Sequence, residues 1–93
     1  MGATPPTEEQ IRRLRWQCRR GMLELDDLLL GFLDRGFRDL DAAGRAGFLA
    51  LLGEQDQDLS DWFMSRRVPQ DPKTAALVAQ IIAVARAAVT KGD

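Results

Sequence analysis

The stretch Ile11–Leu33, IRRLRWQCRRGMLELDDLLLGFL, decides the fold. Ile11, Leu14 and Cys18 recur at helical spacing, and Met22, Leu25, Leu29, Phe32 and Leu33 continue the same stripe in phase. Phase alone would accept one rod running from Glu8 to Leu33. Such a rod would be about 39 Å long, more than a domain of this size can cover, so a break is required. Gly21 is the least costly place for it, because glycine alone leaves a helix through left-handed backbone without strain. The reading predicts helix 1 over about Glu8 to Arg19, opened by Thr7 and Gln10 in capping-box spacing. Helix 2 follows over about Met22 to Asp34 and closes at Gly36, another left-handed stop. Leu23 and Leu30 add a second apolar row, which makes helix 2 central.

Downstream, Asp41 caps a third helix over about Ala42 to Leu52, with Phe48, Leu49 and Leu52 facing inward. Gly44 and Gly47 weaken that helix by up to about 1 kcal/mol each, so packing must hold it. The acidic run EQDQD reads as a loop and cap before helix 4, about Leu59 to Ser65, whose Leu59, Trp62 and Phe63 face the core. Val68-Pro69 breaks the chain and Asp71-Pro72 restarts it. Helix 5, about Pro72 to Val89, presents Leu77, Val78, Ile81, Ile82, Val84 and Ala85 on one broad face. Sustained period-2 alternation is lacking. The expected fold is all-α, a compact bundle of about five short helices. It forms one domain over residues 7–90, between a disordered lead (1–6) and a short tail (91–93).

Composition narrows the function. A chain of 93 residues, 45% hydrophobic, supports one small soluble domain and buries only roughly 60 to 65% of its unfolded surface. A net charge of −1 and a pI near 5.4 argue against a nucleic-acid binder. The charge is unevenly spread: five of the ten residues Ile11 to Arg20 are arginine, whereas Glu54 to Asp61 carries four acids and no base. That asymmetry suits orientation within a protein complex. A lone cysteine, Cys18, fits a reducing compartment and falls on the buried stripe. With no histidine, the commonest general base and metal ligand is missing. The acidic run lacks calcium-loop spacing, and there is no Gly-rich phosphate motif. No catalytic, metal-binding or cofactor-binding residue is expected. Nor does any run approach the roughly 20 apolar residues of a membrane span, so direct membrane insertion is not expected.

Candidate binding residues cluster around the break. Arg20 and Glu24 stand four apart and would form a surface salt bridge on a continuous helix. Between them, Gly21 leaves backbone open to a partner's close approach. Trp16 lies nearly half a turn from the Ile11-Leu14-Cys18 stripe, and is either core or an exposed hot-spot tryptophan beside arginines. RRLRWQCRR also has the composition of an arginine-rich nucleic-acid helix, which the acidic total disfavours.

Arg20-Gly21-Met22-Leu23-Glu24 matches the RGxxE motif of a known family. Leu14, Trp16 and Cys18 precede it, Leu25-Asp26 follows, and Phe48-Leu49-x-Leu51-Leu52 and Asp56-x-Asp58-Leu59-x-x-Trp62 come later in the same order. Over roughly Arg12 to Ile82 the chain resembles the FAD assembly factors of succinate dehydrogenase, called flavinators in bacteria and assembly factor 2 in mitochondria. The resemblance implies a five-helix, non-enzymatic factor that binds the flavoprotein subunit of succinate dehydrogenase, and in bacteria that of fumarate reductase. Such factors promote covalent attachment of FAD to a histidine of that subunit, so FAD and its acceptor belong to the partner and no cofactor stays on this chain. It further implies that Arg20, Gly21 and Glu24 meet the partner, with Trp16, Met22, Asp26 and Asp58 as secondary contacts. Free in the cytoplasm, or in the mitochondrial matrix of a eukaryote, the protein is expected to be a monomer. Some relatives carry an older label as an antitoxin acting on cytoskeletal proteins, which is the alternative function.

Overall fold

The computed structural model describes residues 6–91, and the described residues form an all-α bundle of five helices. They are α1 (Glu8–Gln17), α2 (Leu23–Arg35), α3 (Ala42–Leu52), α4 (Asp56–Phe63) and α5 (Pro72–Lys91), with a 3₁₀ turn at Phe37–Asp39 between α2 and α3. Apart from Pro6 and Lys91, the expected lead and tail lie outside the described residues.

Helices α2 and α4 start without a side-chain cap, whereas α1, α3 and α5 begin where a side chain accepts a free backbone donor. For α1 this is the full capping box: Thr7 Oγ1 accepts the Gln10 N–H at 3.1 Å and Gln10 Oε1 accepts the Thr7 N–H at 2.9 Å. Asp41 Oδ1 accepts the Gly44 N–H at 2.7 Å at the start of α3, and Asp71 Oδ2 accepts that of Thr74 at 3.0 Å at the start of α5. The last helix reaches Lys91, two residues past the expected end.

Helix α2 is central, packing against α1, α4, α5 and the 3₁₀ turn, while α5 closes the bundle against α2, α3 and α4. Leu25, Leu29, Phe32 and Leu33 of α2 are buried, together with Ile11, Leu14, Cys18, Phe48, Leu59 and Ile81. Phe48 sits between Phe32 and Phe37, with ring centroids 5.5 and 5.3 Å away in tilted pairs. Such pairs add about 0.5–1.5 kcal/mol beyond the area they bury.

Several expectations need correction. The second apolar row of α2 is only half real: Leu30 packs against the core, but Leu23, first in the helix, is 77% exposed. Leu49 faces outward at 49% exposure, and Leu51 takes the inward place expected for it. Gly36 has φ −128, so it does not stop α2 by left-handed backbone. It is needed for space instead, since a Cβ there would lie 2.6 Å from the Phe32 ring. Helix α1 ends at Gln17 rather than Arg19. Most of EQDQD is helix, because α4 starts at Asp56, where Asp56 and Asp58 meet the positive end of its dipole. That helix stops at Phe63, and Ser65 (φ +62) takes the left-handed position while the Arg66 N–H donates to the Asp61 carbonyl. No helix among the described residues is long and apolar enough to cross a membrane.

Candidate docking surface

The stretch between α1 and α2 is a corner of five residues, Cys18 to Met22. Cys18 ends α1, its N–H donating to the Leu14 carbonyl, and the Arg19 N–H donates to that of Trp16. Gly21 then takes φ +81, and a Cβ built on it would meet nothing within 4 Å. The backbone needs left-handed geometry, and the space over it is open to solvent.

Arg20 does not pair with Glu24. The broken helix turns its side chain inward, where the guanidinium donates to the carbonyl of Leu52 and, at 3.2 Å, to Asp56 Oδ1. The Arg20 backbone N–H donates to Asp26 Oδ1 at 2.7 Å, and its Nε is buried with no partner. Asp26 is thus half-buried and occupied within the chain. Glu24 is exposed and has no ion pair among the described residues. Asp56 is not among the residues expected at the site, since an acid in a first turn signals only a favourable dipole.

Trp16 is 79% exposed, which settles its position on the surface. Beside it a shallow hollow of about 360 Å³ is lined by Trp16, Gln17, Arg19, Arg20, Leu49 and Leu52. Met22 at 37% and Leu23 at 77% exposure continue the apolar surface past Gly21. Periodicity places Met22, Leu23 and Leu49 inward and all three are exposed, because it gives a side chain's phase about its own helix axis and not what covers it. Asp58 stands apart: it pairs with Arg67, which also reaches Asp61. Two residues along a helix do not share a face, so Asp56 serves the corner and Asp58 the α4–α5 connection. Hydrogen bonds from Arg67 and Gln57 hold the Asp61 carboxyl below its ordinary range.

The arginine run is largely engaged within the chain. Arg13 pairs with Glu9 at 3.2 Å, Arg15 with Asp34 at 2.6 Å and Arg20 with Asp56. Cys18 is fully buried, and that burial pushes its thiol up to about 12 against the opposing charges of Arg20 and Arg15. A thiol so held stays protonated at neutral pH. The corner therefore offers exposed apolar side chains, open backbone and one unpaired carboxylate, a set suited to contact rather than bond-making.

The family model described as the flavinator of succinate dehydrogenase matches residues 12–85. The FAD assembly factor SdhE of Shewanella oneidensis is 45% identical over 71 residues, which cover 76% of this chain and 87% of that protein. The Pseudomonas aeruginosa protein of the same name is 44% identical over 75 residues, 81% of this chain and 89% of the relative. That of Vibrio cholerae is 40% identical over 77 residues, 83% and 90% of the two chains.

Proposed function

This chain belongs to the succinate dehydrogenase flavinator family, and from that premise we propose that it docks on the flavoprotein subunit of succinate dehydrogenase and promotes its covalent flavinylation with FAD. The family is one of assembly factors, not enzymes, so the bond-forming chemistry belongs to the partner. The flavoprotein subunit of fumarate reductase is a second client on the same reading. The protein works in the cytoplasm and is a monomer until it docks.

The observation that carries this proposal is the Gly21 corner: left-handed backbone with open space above it, three positions before Glu24, which is exposed and has no ion pair among the described residues. A partner's backbone can reach Gly21 where any side chain would intervene. Glu24 gives that partner a charge-assisted acceptor at the rim. The chain acts by favouring one arrangement of the flavoprotein's domains, since a ligand shifts an equilibrium only through unequal affinity for its states. No step on the flavin needs a group from this chain.

Co-expression with the flavoprotein subunit, followed by denaturing electrophoresis and in-gel flavin fluorescence, tests the function. Covalent flavin should rise several-fold with this chain present, and equal signal with and without it would remove the function. Glu24→Ala should lower the flavin signal while leaving the thermal midpoint nearly unchanged. An unchanged yield would take Glu24 out of the docking surface.

A further inference from the structure

The arginine of the motif faces the wrong way for a principal contact. Its side chain is 17% exposed and its guanidinium is spent on Leu52 and Asp56, while its backbone N–H serves Asp26. Leu52 is the last residue of α3, Asp56 the first of α4, and Asp26 lies in the first turn of α2. One residue thereby ties three helix ends to the segment leaving α1. The Leu52 carbonyl belongs to the unsatisfied acceptors of a helix C-terminus, which a cation suits. A lysine could not replace the clamp, because its ammonium is a point donor whereas the planar guanidinium fixes several N–H groups in direction.

Gly21 needs such a clamp. Nothing lies within 4 Å of its Cβ position, so its own surroundings supply no packing to hold the turn. On the far side Met22 caps α2 with no side-chain hydrogen bond. The hold must come from Arg20. We propose that Arg20 is a positioning residue for docking: it keeps the Gly21–Glu24 corner in the shape a flavoprotein surface meets, and leaves the contact to Gly21 backbone, Met22 and Glu24. This inference rests on the docking function proposed above.

The test pairs two measurements on the full chain and on Arg20→Ala, Arg20→Lys, Asp56→Ala and the Arg20→Ala/Asp56→Ala double variant. Titration calorimetry against the purified succinate dehydrogenase flavoprotein subunit gives affinity, and amide hydrogen exchange of the free proteins reports on residues 19–24. Arg20→Ala should bind about tenfold more weakly or worse, with faster exchange at Gly21–Glu24 before any partner is added. Arg20→Lys should recover only part of both losses. The Asp56→Ala change should cost less in the Arg20→Ala background than alone, since both act through one clamp. Weaker binding without faster exchange, faster exchange without weaker binding, or full recovery by lysine each overturns the inference. If Arg20→Ala does not fold, Arg20→Lys against the unaltered chain decides by the same two readings. Absence of binding by the unaltered chain would overturn the docking function and this role with it, an outcome distinct from the three above, which leave docking standing.

Discussion

Gly21 joins two requirements that usually fall on different residues. Its φ of +81 is strained for any side chain, yet the space around it is empty. Gly21→Ala should therefore cost about 1 kcal/mol through backbone strain alone, and Gly21→Asn less, because asparagine tolerates the left-handed region. Urea denaturation of the two variants checks the order. Gly21→Arg should keep its helical circular dichroism but lose the flavoprotein, and loss of fold instead would make the glycine purely structural. Ser65, also left-handed at φ +62, is the converse case. Ser65→Gly should stabilise the chain by about 0.5–1 kcal/mol, read as a higher thermal midpoint. Cys18 adds a pH dependence. Its folded pKa, raised from 9.0 to about 12, lies above the unfolded value, so its stabilising contribution is intact below pH 9 and lost as pH rises towards 12. The chain has no tyrosine to titrate beside it. The urea midpoint should fall between about pH 8 and about pH 10.5, and that fall should be smaller in Cys18→Ala.

At the scale of the element, legibility followed the mechanism that starts or stops each helix. Thr7, Asp41 and Asp71 were readable because a cap is local, needing one side chain and a donor three residues away. Asp41→Ala should accordingly cost about 1 kcal/mol in chemical denaturation, a notable loss for a helix already carrying Gly44 and Gly47. Helix α4 departs from its expected span at both ends for the opposite reason. Its start lacks a side-chain cap, and Asp56 there is held by Arg20, thirty-six positions earlier in the chain. The stop at Gly36 was right in place but wrong in cause, because the Phe32 ring, not left-handed backbone, demands the glycine.

In the whole molecule, a small core leaves a thin margin. Phe48 is fully buried between two other rings, so Phe48→Ala should cost about 3–5 kcal/mol. That is a large share of the roughly 5–15 kcal/mol available to a domain, and the variant should lose near-ultraviolet circular dichroism at temperatures where the parent is folded. Apart from Cys18 and the Arg20 clamp, the side chains around Gly21 add little to that core. Trp16, Leu23 and Leu49 lie largely outside the core, which lets a docking surface accept change without unfolding its scaffold.

The amino-acid sequence by itself determined the helical class, the helix count, the break near Gly21 and the ordered motifs by which the chain resembles its family. All of these rest on local spacing: a stripe period, a cap, a five-residue signature. Tertiary structure alone decided which side of the break each residue serves. Arg20 and Glu24, neighbours on an unbroken helix, are separated once the chain turns, one drawn to Leu52 and Asp56 and the other left in solvent. Leu23 and Leu49 satisfy a helical period, yet Leu23 is largely exposed and Leu49 about half exposed. Periodicity gives the phase of a side chain about its own axis, whereas burial and pairing depend on where the other axes end.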